Sequence, residues 1–509
     1  MTPPRRVERQ RPDRPPDLPL PPGPVSNGEF LPAPPSQHDR DRHRAILRAA
    51  EDAAGRLGID RRQFLQTAGG VAAALTVFNL AACSGGGGTS AKRPGGRFRV
   101  PPSTDLAACD HALSGTEFVF DVHTHHVIPS GPWRSTAPET VQLVLGMVPA
   151  DCASADRLQC VNRASYLHDV FLASDTTVAL LSDVPNSGPN DAPIPFPDAL
   201  ATQDLVAQLT HGGASRLLVH NVIAPNFGDL QARLDGMAQT AATRRVAGFK
   251  VYTAWGPTGQ GYSLADPSLG LRVVQQAHDL GVRVFTAHKG LPLIRFDPAH
   301  NGPDDIVAVS RQFPDMQFVV FHAAWDSNHR EGAYDASARI GVDTLLQSLD
   351  AHQVPPNDNV WVDVGSLWRQ LLTEPDQAAH AVGKLLRRVG DRRVLWGTDA
   401  IWYGSPQPQL QAFRAFEITP EYQDRFGYPA LTDEVKRNVL GLNAAALFGI
   451  DPTATRCALA SDPLNAAQPE AAHLRADGAL PPSSRPRGPT TRREMLRWLG
   501  DPSTRWTPM

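Results

Sequence analysis

Eight short apolar segments recur between residues 116 and 450, and they constrain the fold more than any other feature of the chain. Near-continuous apolar runs are typical of parallel strands that are buried on both faces. Amphipathic segments such as 269–280, which Gly281 follows, separate them and predict helices. The candidate strands are Phe118–Val122, Thr177–Leu181, Arg216–Val219, Val246–Val251, Arg283–Thr286, Gln317–Phe321, Val360–Val364 and Arg393–Trp396.

Eight successive β/α units predict an α/β fold of the (β/α)8, or TIM barrel, type over residues 116–450. A doubly wound open sheet is the alternative. It is disfavoured because no Gly-x-Gly-x-x-Gly motif follows the first candidate strand. The chain has 509 residues. Residues 1–115 and 451–509 therefore lie outside the predicted barrel and are interpreted separately.

Both ends of the chain are rich in proline and arginine. Residues 1–60 predict a disordered extension with a short helical stretch at 44–57. A translation start between residues 47 and 57 is a further hypothesis, and it would shorten this extension. Residues 451–509 return to Pro, Ala, Ser and Arg and predict a mostly disordered tail.

Residues 61–83 have the pattern of a twin-arginine export signal: Arg61-Arg62 is followed by the apolar run Ala68–Ala82. That run is shorter than the roughly 20 residues of a membrane span. The segment 80–83 resembles the lipobox of bacterial lipoproteins, so Cys83 is the predicted lipidation site. The expected location is the cell envelope, with a lipid anchor in the membrane and a linker at 84–115. A buried helix with an incidental cysteine is the alternative.

Four further cysteines, an even number, suit an oxidising compartment. Cys152 and Cys160 close a short loop and are a plausible disulfide pair, which leaves Cys109 to pair with Cys457. Buried thiols are the alternative. The formal net charge of −3 gives no support for a nucleic-acid partner.

The first candidate strand ends in a His-x-His pair. His123 and His125 are two residues apart, so on a strand they point to the same side. Neutral imidazoles so placed can bind one metal ion. His126 is out of phase, and Asp121 is expected to support the site rather than bind metal.

Polar residues also follow other candidate strands at the same phase of the β/α unit. They are Lys250, His288, His322 and Asp399, with Asp363 ending the seventh strand. In a barrel these strand ends meet at the C-terminal mouth, where such enzymes place their sites. The spacing therefore predicts one cluster of metal-competent side chains.

This set resembles the metal-dependent amidohydrolase superfamily: His123-x-His125, His288, His322 and the motif Gly397-Thr398-Asp399 all match its pattern. The closing segment 438–450 is similar to the helix that ends the branch with metal-dependent decarboxylases and lactonases. The resemblance implies one or two divalent ions, with Zn as the expected metal. It spans the whole predicted barrel.

The resemblance also implies roles. His123, His125 and Asp399 would bind the metal, and Asp399 would also deprotonate the metal-bound water. His288 and His322 would be either ligands or catalytic groups that polarise the substrate. Lys250 is open between three states: a carboxylated ligand that bridges two metals, an ammonium that binds a substrate carboxylate, or a member of a salt bridge.

The implied function is a hydrolase that uses a metal-bound hydroxide to cleave an ester, lactone, amide or related bond of a small molecule. A nonhydrolytic metal-dependent decarboxylase on the same barrel is the nearest alternative, and a metal-binding lipoprotein without turnover is another. Lys289 and Arg369 are candidate partners of an anionic group. The aromatic side chains expected at the mouth include the substrate-binding candidates Tyr252, Trp255, Trp325 and Trp402, together with Trp368 and Tyr403.

Overall fold

The computed structural model describes residues 18–26, 31–84, 94–148, 154–212, 215–291, 296–477, 479–480, 492–493 and 496. The strands are β1 Gly96–Phe98, β2 Phe120–Thr124, β3 Val178–Leu181, β4 Leu217–Ile223, β5 Val246–Val251, β6 Val284–His288, β7 Gln317–Phe321, β8 Val360–Asp363, β9 Val394–Leu395 and β10 Phe416–Ile418.

The helices are α1 Gln37–Leu57, α2 Arg61–Leu65, α3 Ala68–Ser84, α4 Leu106–Leu113, α5 Trp133–Thr136, α6 Pro138–Met147, α7 Arg163–Leu167, α8 Phe196–Leu209, α9 Leu230–Ala242, α10 Gly270–Asp279, α11 Asp304–Ser310, α12 Val342–Ala351, α13 Gly365–Leu371, α14 Pro375–Arg388, α15 Gln407–Ala415, α16 Pro420–Phe426, α17 Asp433–Arg437, α18 Asn443–Phe448, α19 Pro452–Ala458 and α20 Pro463–Ala476. Short 3-10 turns lie at 157–161, 257–259, 298–300 and 322–324, and π-helical turns lie at 168–172 and 438–442.

Strands β2 to β9 form one parallel sheet in chain order, which confirms the predicted (β/α)8 barrel. The backbone N–H of Val122 on β2 donates to the carbonyl of Trp396 after β9 at 3.0 Å, and Thr124 forms a parallel bridge with Ala400. These bonds join the first and last barrel strands, so the sheet is not an open one. Each predicted strand overlaps an observed strand.

The N-terminal end of the barrel is closed by the segment 438–448. Phe120 packs against Phe448 with ring centroids 5.5 Å apart, and the N–H of Trp396 donates to the carbonyl of Val439 at 2.9 Å. A Cβ at Gly441 would lie 2.0 Å from the carbonyl oxygen of Phe118, so only glycine permits this approach. The closing helix therefore leaves the C-terminal mouth as the place for a site.

Ordered structure continues on the N-terminal side of the barrel. The helix predicted at 44–57 begins earlier, at Gln37, and Ile46 and Ala50 on it are fully buried. The expected linker contains β1, which pairs with β10, and helix α4. Residues 37–57 and 94–115 thus belong to the folded body instead of a disordered extension and a linker.

The apolar run of the predicted export signal forms helix α3, with Ala72, Leu75 and Phe78 fully buried. Its neighbours are α1, α4, α14 and α15. Within the described part of the chain, no helix is both long and apolar enough to span a bilayer. This packing is what the alternative interpretation, a buried helix, predicts for the segment. The export signal and the lipidation at Cys83 stay predictions.

The tail begins later than predicted, because 452–476 form α19 and α20. Cys109 is a buried free thiol and Cys457 an exposed one, so the predicted pair between them is wrong. Cys109 lies on α4 and Cys457 on α19. An even number of cysteines does not by itself place two of them within bonding distance. Cys160 is disulfide-bonded, whereas Cys152 lies outside the described residues, so that pairing stays a prediction.

Candidate metal centre

His123, His125 and Asp399 meet at the C-terminal mouth of the barrel. The Nε2 atoms of the two imidazoles lie 3.6 and 3.5 Å from Oδ1 of Asp399. All three side chains are buried, and their candidate ligand atoms lie within 4.8 Å of one another. Two imidazoles and a carboxylate are ligands that divalent transition metals accept. The donor set thus fits one divalent ion.

Backbone bonds across the barrel seam hold the three ligands in place. The N–H of Asp399 donates to the carbonyl of His123 at 2.9 Å, and the N–H of His125 donates to that of Ala400 at 2.6 Å. Gly397 permits the close approach, because a Cβ there would lie 2.4 Å from Oδ2 of Asp363. The strand β2 and the loop after β9 therefore position the ligands together.

The Nδ1 atoms of both histidines are bonded away from the metal side. Nδ1 of His125 donates to the carbonyl of Ser182 at 2.7 Å, and Nδ1 of His123 lies 2.7 Å from Oδ2 of Asp363. A carbonyl can only accept, so Nδ1 of His125 carries the proton and Nε2 keeps its lone pair. Such partners orient metal-binding histidines.

Asp399 is held by a hydroxyl as well. Oγ of Ser366 donates to its Oδ2 at 2.8 Å, while Oδ1 faces the two histidines. The OH of Tyr403 in turn donates to Oγ of Ser366 at 3.0 Å. These contacts fix the orientation of the Asp399 carboxylate, with Oδ1 toward the two histidines.

His288 and His322 lie beside this triad. Their ring centroids are 4.7 Å apart, and that of His322 is 4.8 Å from that of His123. Both ring nitrogens of His288 and Nε2 of His322 are buried without a hydrogen-bond partner among the described residues. Buried polar atoms of this kind are rare in proteins, so these nitrogens are candidates for contact with an ion or a substrate.

The two histidines differ in the state of their nitrogens. Nδ1 of His322 accepts a hydrogen bond from the N–H of Ser366 at 3.3 Å. In a neutral imidazole that leaves the proton on Nε2, which is then a donor rather than a metal ligand. His288 has no such constraint from the described residues. The geometry thus favours the substrate-polarising role for His322.

The imidazoles are neutral at ordinary pH. Burial, and then the charge of Lys250, hold the pKa values of His123, His125 and His322 well below their usual range. Burial also raises the pKa of Asp363 well above its usual value. Neutral imidazole is the form that binds metal, so the electrostatics agree with a metal centre.

Lys250 lies on β5 and is fully buried. Its Nζ is 4.4 Å from the ring centroid of Phe321 and 4.6 Å from that of Tyr252. The negative faces of aromatic rings attract an ammonium and repel an anion. This contact favours the ammonium over the carboxylated, metal-bridging form of Lys250.

Two of the four predicted substrate-binding aromatics touch the centre. Tyr252 stacks on His288 with centroids 5.4 Å apart, and Trp402 stacks on His125 at 5.9 Å. Trp255 is one layer further out, where its Nε1 donates to the carbonyl of Asn186 at 3.1 Å.

Two other predicted aromatics have contacts with other parts of the molecule. Trp325 lines a separate surface cavity of about 260 Å³. Trp368 is buried behind the barrel against Phe413 and Phe416.

Asp121 and His126 agree with their sequence-based roles. Oδ1 of Asp121 accepts from the N–H groups of His123 and Thr398, both at 3.1 Å, and so ties β2 to the loop after β9. Nε2 of His126 points away to Thr202 at 3.1 Å. Neither residue is a candidate ligand.

The model of the family described as Amidohydrolase (Amidohydro_2) matches residues 121–450, which include every group of the centre. The chain belongs to the amidohydrolase family. This confirms the resemblance read from the motifs and supports a metal-dependent centre in this amidohydrolase. No curated protein matches the chain.

Solved structures similar to this amidohydrolase include 5-carboxyvanillate decarboxylase LigW from Sphingomonas paucimobilis, at 14% identity and a TM-score of 0.43, over 66% of this chain and 100% of that one. The 2,6-dihydroxybenzoate decarboxylase from Rhizobium has 14% identity and a TM-score of 0.38, over 66% and 99%. A manganese-bound dihydroxybenzoic acid decarboxylase from Polaromonas sp. JS666 has 12% and 0.40, over 66% and 97%. Likenesses at this level carry neither substrate nor metal over to this chain.

Proposed function

We propose that this amidohydrolase removes a carboxyl group from a small carboxylic acid by nonhydrolytic, metal-dependent decarboxylation. The observation that carries the proposal is the buried Lys250 ammonium, held over two aromatic rings beside the metal-binding groups. An ammonium next to a divalent cation favours an anionic substrate. A carboxylic acid is such a substrate, and it is ionised at neutral pH.

The residues have distinct roles in this proposal. His123, His125 and Asp399 would hold the metal, which supplies positive charge for binding the substrate and for stabilising negative charge in the transition state. Lys250 binds a carboxylate oxygen. Tyr252 and Trp402 present ring faces for the substrate body.

The reaction needs one proton. Loss of CO2 breaks a carbon–carbon bond and leaves the electron pair on the substrate carbon, which must then be protonated. The neutral ring of His322 is too weak an acid to supply it, but its Nε2–H can position a proton-donating water by a hydrogen bond, because Nδ1 is occupied by the N–H of Ser366. The hydroxide left by that water combines with the released CO2 to give bicarbonate.

Hydrolysis, the function expected from the sequence, is the second candidate. Its support is the Asp399 carboxylate at the metal site, which the family uses as a proton acceptor. One contact weighs against its binuclear form: Lys250 is placed as an ammonium and not as a bridging ligand. Decarboxylation needs no bridging lysine.

A turnover assay with the metal-loaded full chain tests the proposal. We expect CO2 release from a panel of aromatic and aliphatic carboxylic acids, and no turnover of matched esters, lactones and amides. Lys250→Met should reduce CO2 release at least about a hundredfold because it removes the charge but keeps the side-chain bulk. Its metal content should stay unchanged.

Other outcomes would contradict the proposal. Ester, lactone or amide cleavage that survives in Lys250→Met would establish the hydrolase. A protein that retains its metal but turns over neither panel would be a binding module.

A further inference from the structure

An N-terminal segment packs against helix α13, which follows β8 at the C-terminal end of the barrel. Residues 18–26 contact helix α13, where Nε2 of Gln370 donates to the carbonyl of Val25 at 2.6 Å and Oε1 accepts from the N–H of Val25 at 3.3 Å. Leu18 and Leu20 are buried. We name residues 18–26 the cover segment. The two hydrogen bonds to Val25 and the buried leucine side chains make it part of the packed structure.

Hydrogen bonds connect the cover segment to the metal centre. Nε2 of Gln370 also lies 3.3 Å from the OH of Tyr403. That hydroxyl donates to Oγ of Ser366, which donates to Oδ2 of Asp399. A continuous series of hydrogen bonds therefore links the cover segment to a metal-binding carboxylate.

Arg369 lies under the cover segment with an unsatisfied guanidinium. It is only 4% exposed, and its Nη1 and Nη2 have no hydrogen-bond partner among the described residues. Its Cζ lies 5.9 Å from the ring centroid of Tyr403. Burial lowers the pKa of Arg369 to about 10, so the group remains charged at neutral pH. Burying charged donors without acceptors is costly.

Lys289, the other cation predicted to meet an anion, is already paired. Its Nζ lies 2.6 Å from Oδ1 of Asp305 and donates to the carbonyl of His300 at 3.1 Å. Arg369 has no carboxylate partner of this kind in the described ranges. Of the two candidates, only Arg369 remains available.

The cavity beside Arg369 is too small for a substrate group while the cover is in place. It has a volume of about 10 Å³, which is room for about one water molecule. Its wall on the cover side is residues 19–21, Pro-Leu-Pro, which have no side-chain acceptors. The cover segment thus fills the space without satisfying the cation.

We propose that Arg369 forms a binding subsite for a carboxylate group at the barrel mouth and that the cover segment closes this subsite until it is displaced. The planar fork of a guanidinium matches a carboxylate with two parallel hydrogen bonds. The inference deepens the proposed function: the substrate would carry a second anionic group besides the one at the metal.

Benzoate binding, measured by calorimetry on full-length protein, tests the subsite. Leu20→Lys should expel the cover, because a lysine cannot be buried next to Arg369. Ala33→Lys adds the same charge at an exposed position and is the matched control. We expect benzoate to bind at least about tenfold more tightly to Leu20→Lys than to the wild type or to Ala33→Lys, since only the first variant opens the cavity.

The guanidinium is tested in the opened background. Adding Arg369→Gln should abolish the tenfold gain, whereas Arg369→Lys should keep part of it. Leu18→Lys opens the same segment and replaces Leu20→Lys if that variant does not fold. Asp399→Asn removes a metal ligand but should leave the gain intact, so loss of metal chemistry and loss of the subsite give different results.

Two results would overturn the proposal. One is equal benzoate affinity in wild type and in the opened variants. The other is a gain in affinity that persists when Arg369→Gln is added.

Discussion

The carboxylate of Asp363 holds two histidines of the metal centre in place. Oδ2 contacts Nδ1 of His123 at 2.7 Å, and Oδ1 accepts from the N–H of His322 at 2.5 Å. One carboxylate thus orients a metal ligand and the histidine that would position the proton-donating water. A change there should act on the metal site more than on the fold.

We expect Asp363→Asn to weaken metal affinity by about 10–100-fold, because an amide cannot replace the carboxylate that holds His123. Titration of the chelator-treated protein with Zn or Mn measures this. Asp358→Asn, which changes a surface partner of Arg311, is the matched control and should bind metal like the wild type. Equal affinities of the two variants would contradict the role of Asp363.

Gly397 gives a second test at the residue scale. A Cβ at this position would lie 2.9 Å from Cβ of His123 as well as against Asp363. Gly397→Ala should therefore displace a ligand, lower metal occupancy and cost about 1–3 kcal/mol of stability by overpacking. Gly236→Ala on α9, where a Cβ meets nothing within 4 Å, is the control. Normal occupancy in Gly397→Ala would refute the tight packing.

The sequence identifies those site residues whose position follows from strand periodicity. His123 and His125 share a strand face, and Asp399 follows the last barrel strand at the expected phase. Ser182 and Ser366 could not be predicted, because their bonds to the ligands depend on loop conformations. In the sequence, a serine that holds a metal ligand cannot be told apart from a serine that is exposed to solvent.

At the scale of elements, the strands are the most predictable and the terminal helices the least. Apolar runs of the right length identify all eight barrel strands. Helix α20 has an Ala- and Pro-rich sequence with a weak apolar face, so composition alone indicates a tail. What holds it is a long-range ion pair that no local pattern reveals.

That ion pair joins Arg216, which precedes β4, to Asp462 at the start of α20. Nη1 of Arg216 lies 2.7 Å from Oδ2 of Asp462, and both side chains are at most 1% exposed. Asp462→Ala would leave a buried charge without its partner, which costs about 3–5 kcal/mol. Urea denaturation measures the loss. Asp358→Ala, at a half-exposed pair, should cost at most about 1 kcal/mol.

A loss in Asp462→Ala no larger than that of Asp358→Ala would contradict the account. It would mean that α20 is not an integral part of the folded body.

For the whole molecule, the cellular location depends on helix α3, because it contains the apolar run of the predicted export signal. We propose that the chain is exported by the twin-arginine route and anchored through Cys83, on the support of the motif at 61–83. Cleavage before Cys83 would remove the cover segment, helices α1 and α2 and nearly all of the buried helix α3. Arg61→Lys with Arg62→Lys should then keep the protein in the cytoplasm, as cell fractionation measures. A chain found intact from residue 18 onward in the envelope would contradict cleavage.

The metal content per chain is the decisive measurement, because the proposed chemistry needs one ion held by His123, His125 and Asp399. Elemental analysis of the purified protein, after dialysis against buffer without chelator, gives both the metal and its stoichiometry. We expect one divalent ion per chain in the wild type and well under one in Asp399→Asn. Two ions per chain, with a carboxylated Lys250 between them, would contradict it and restore the binuclear hydrolase.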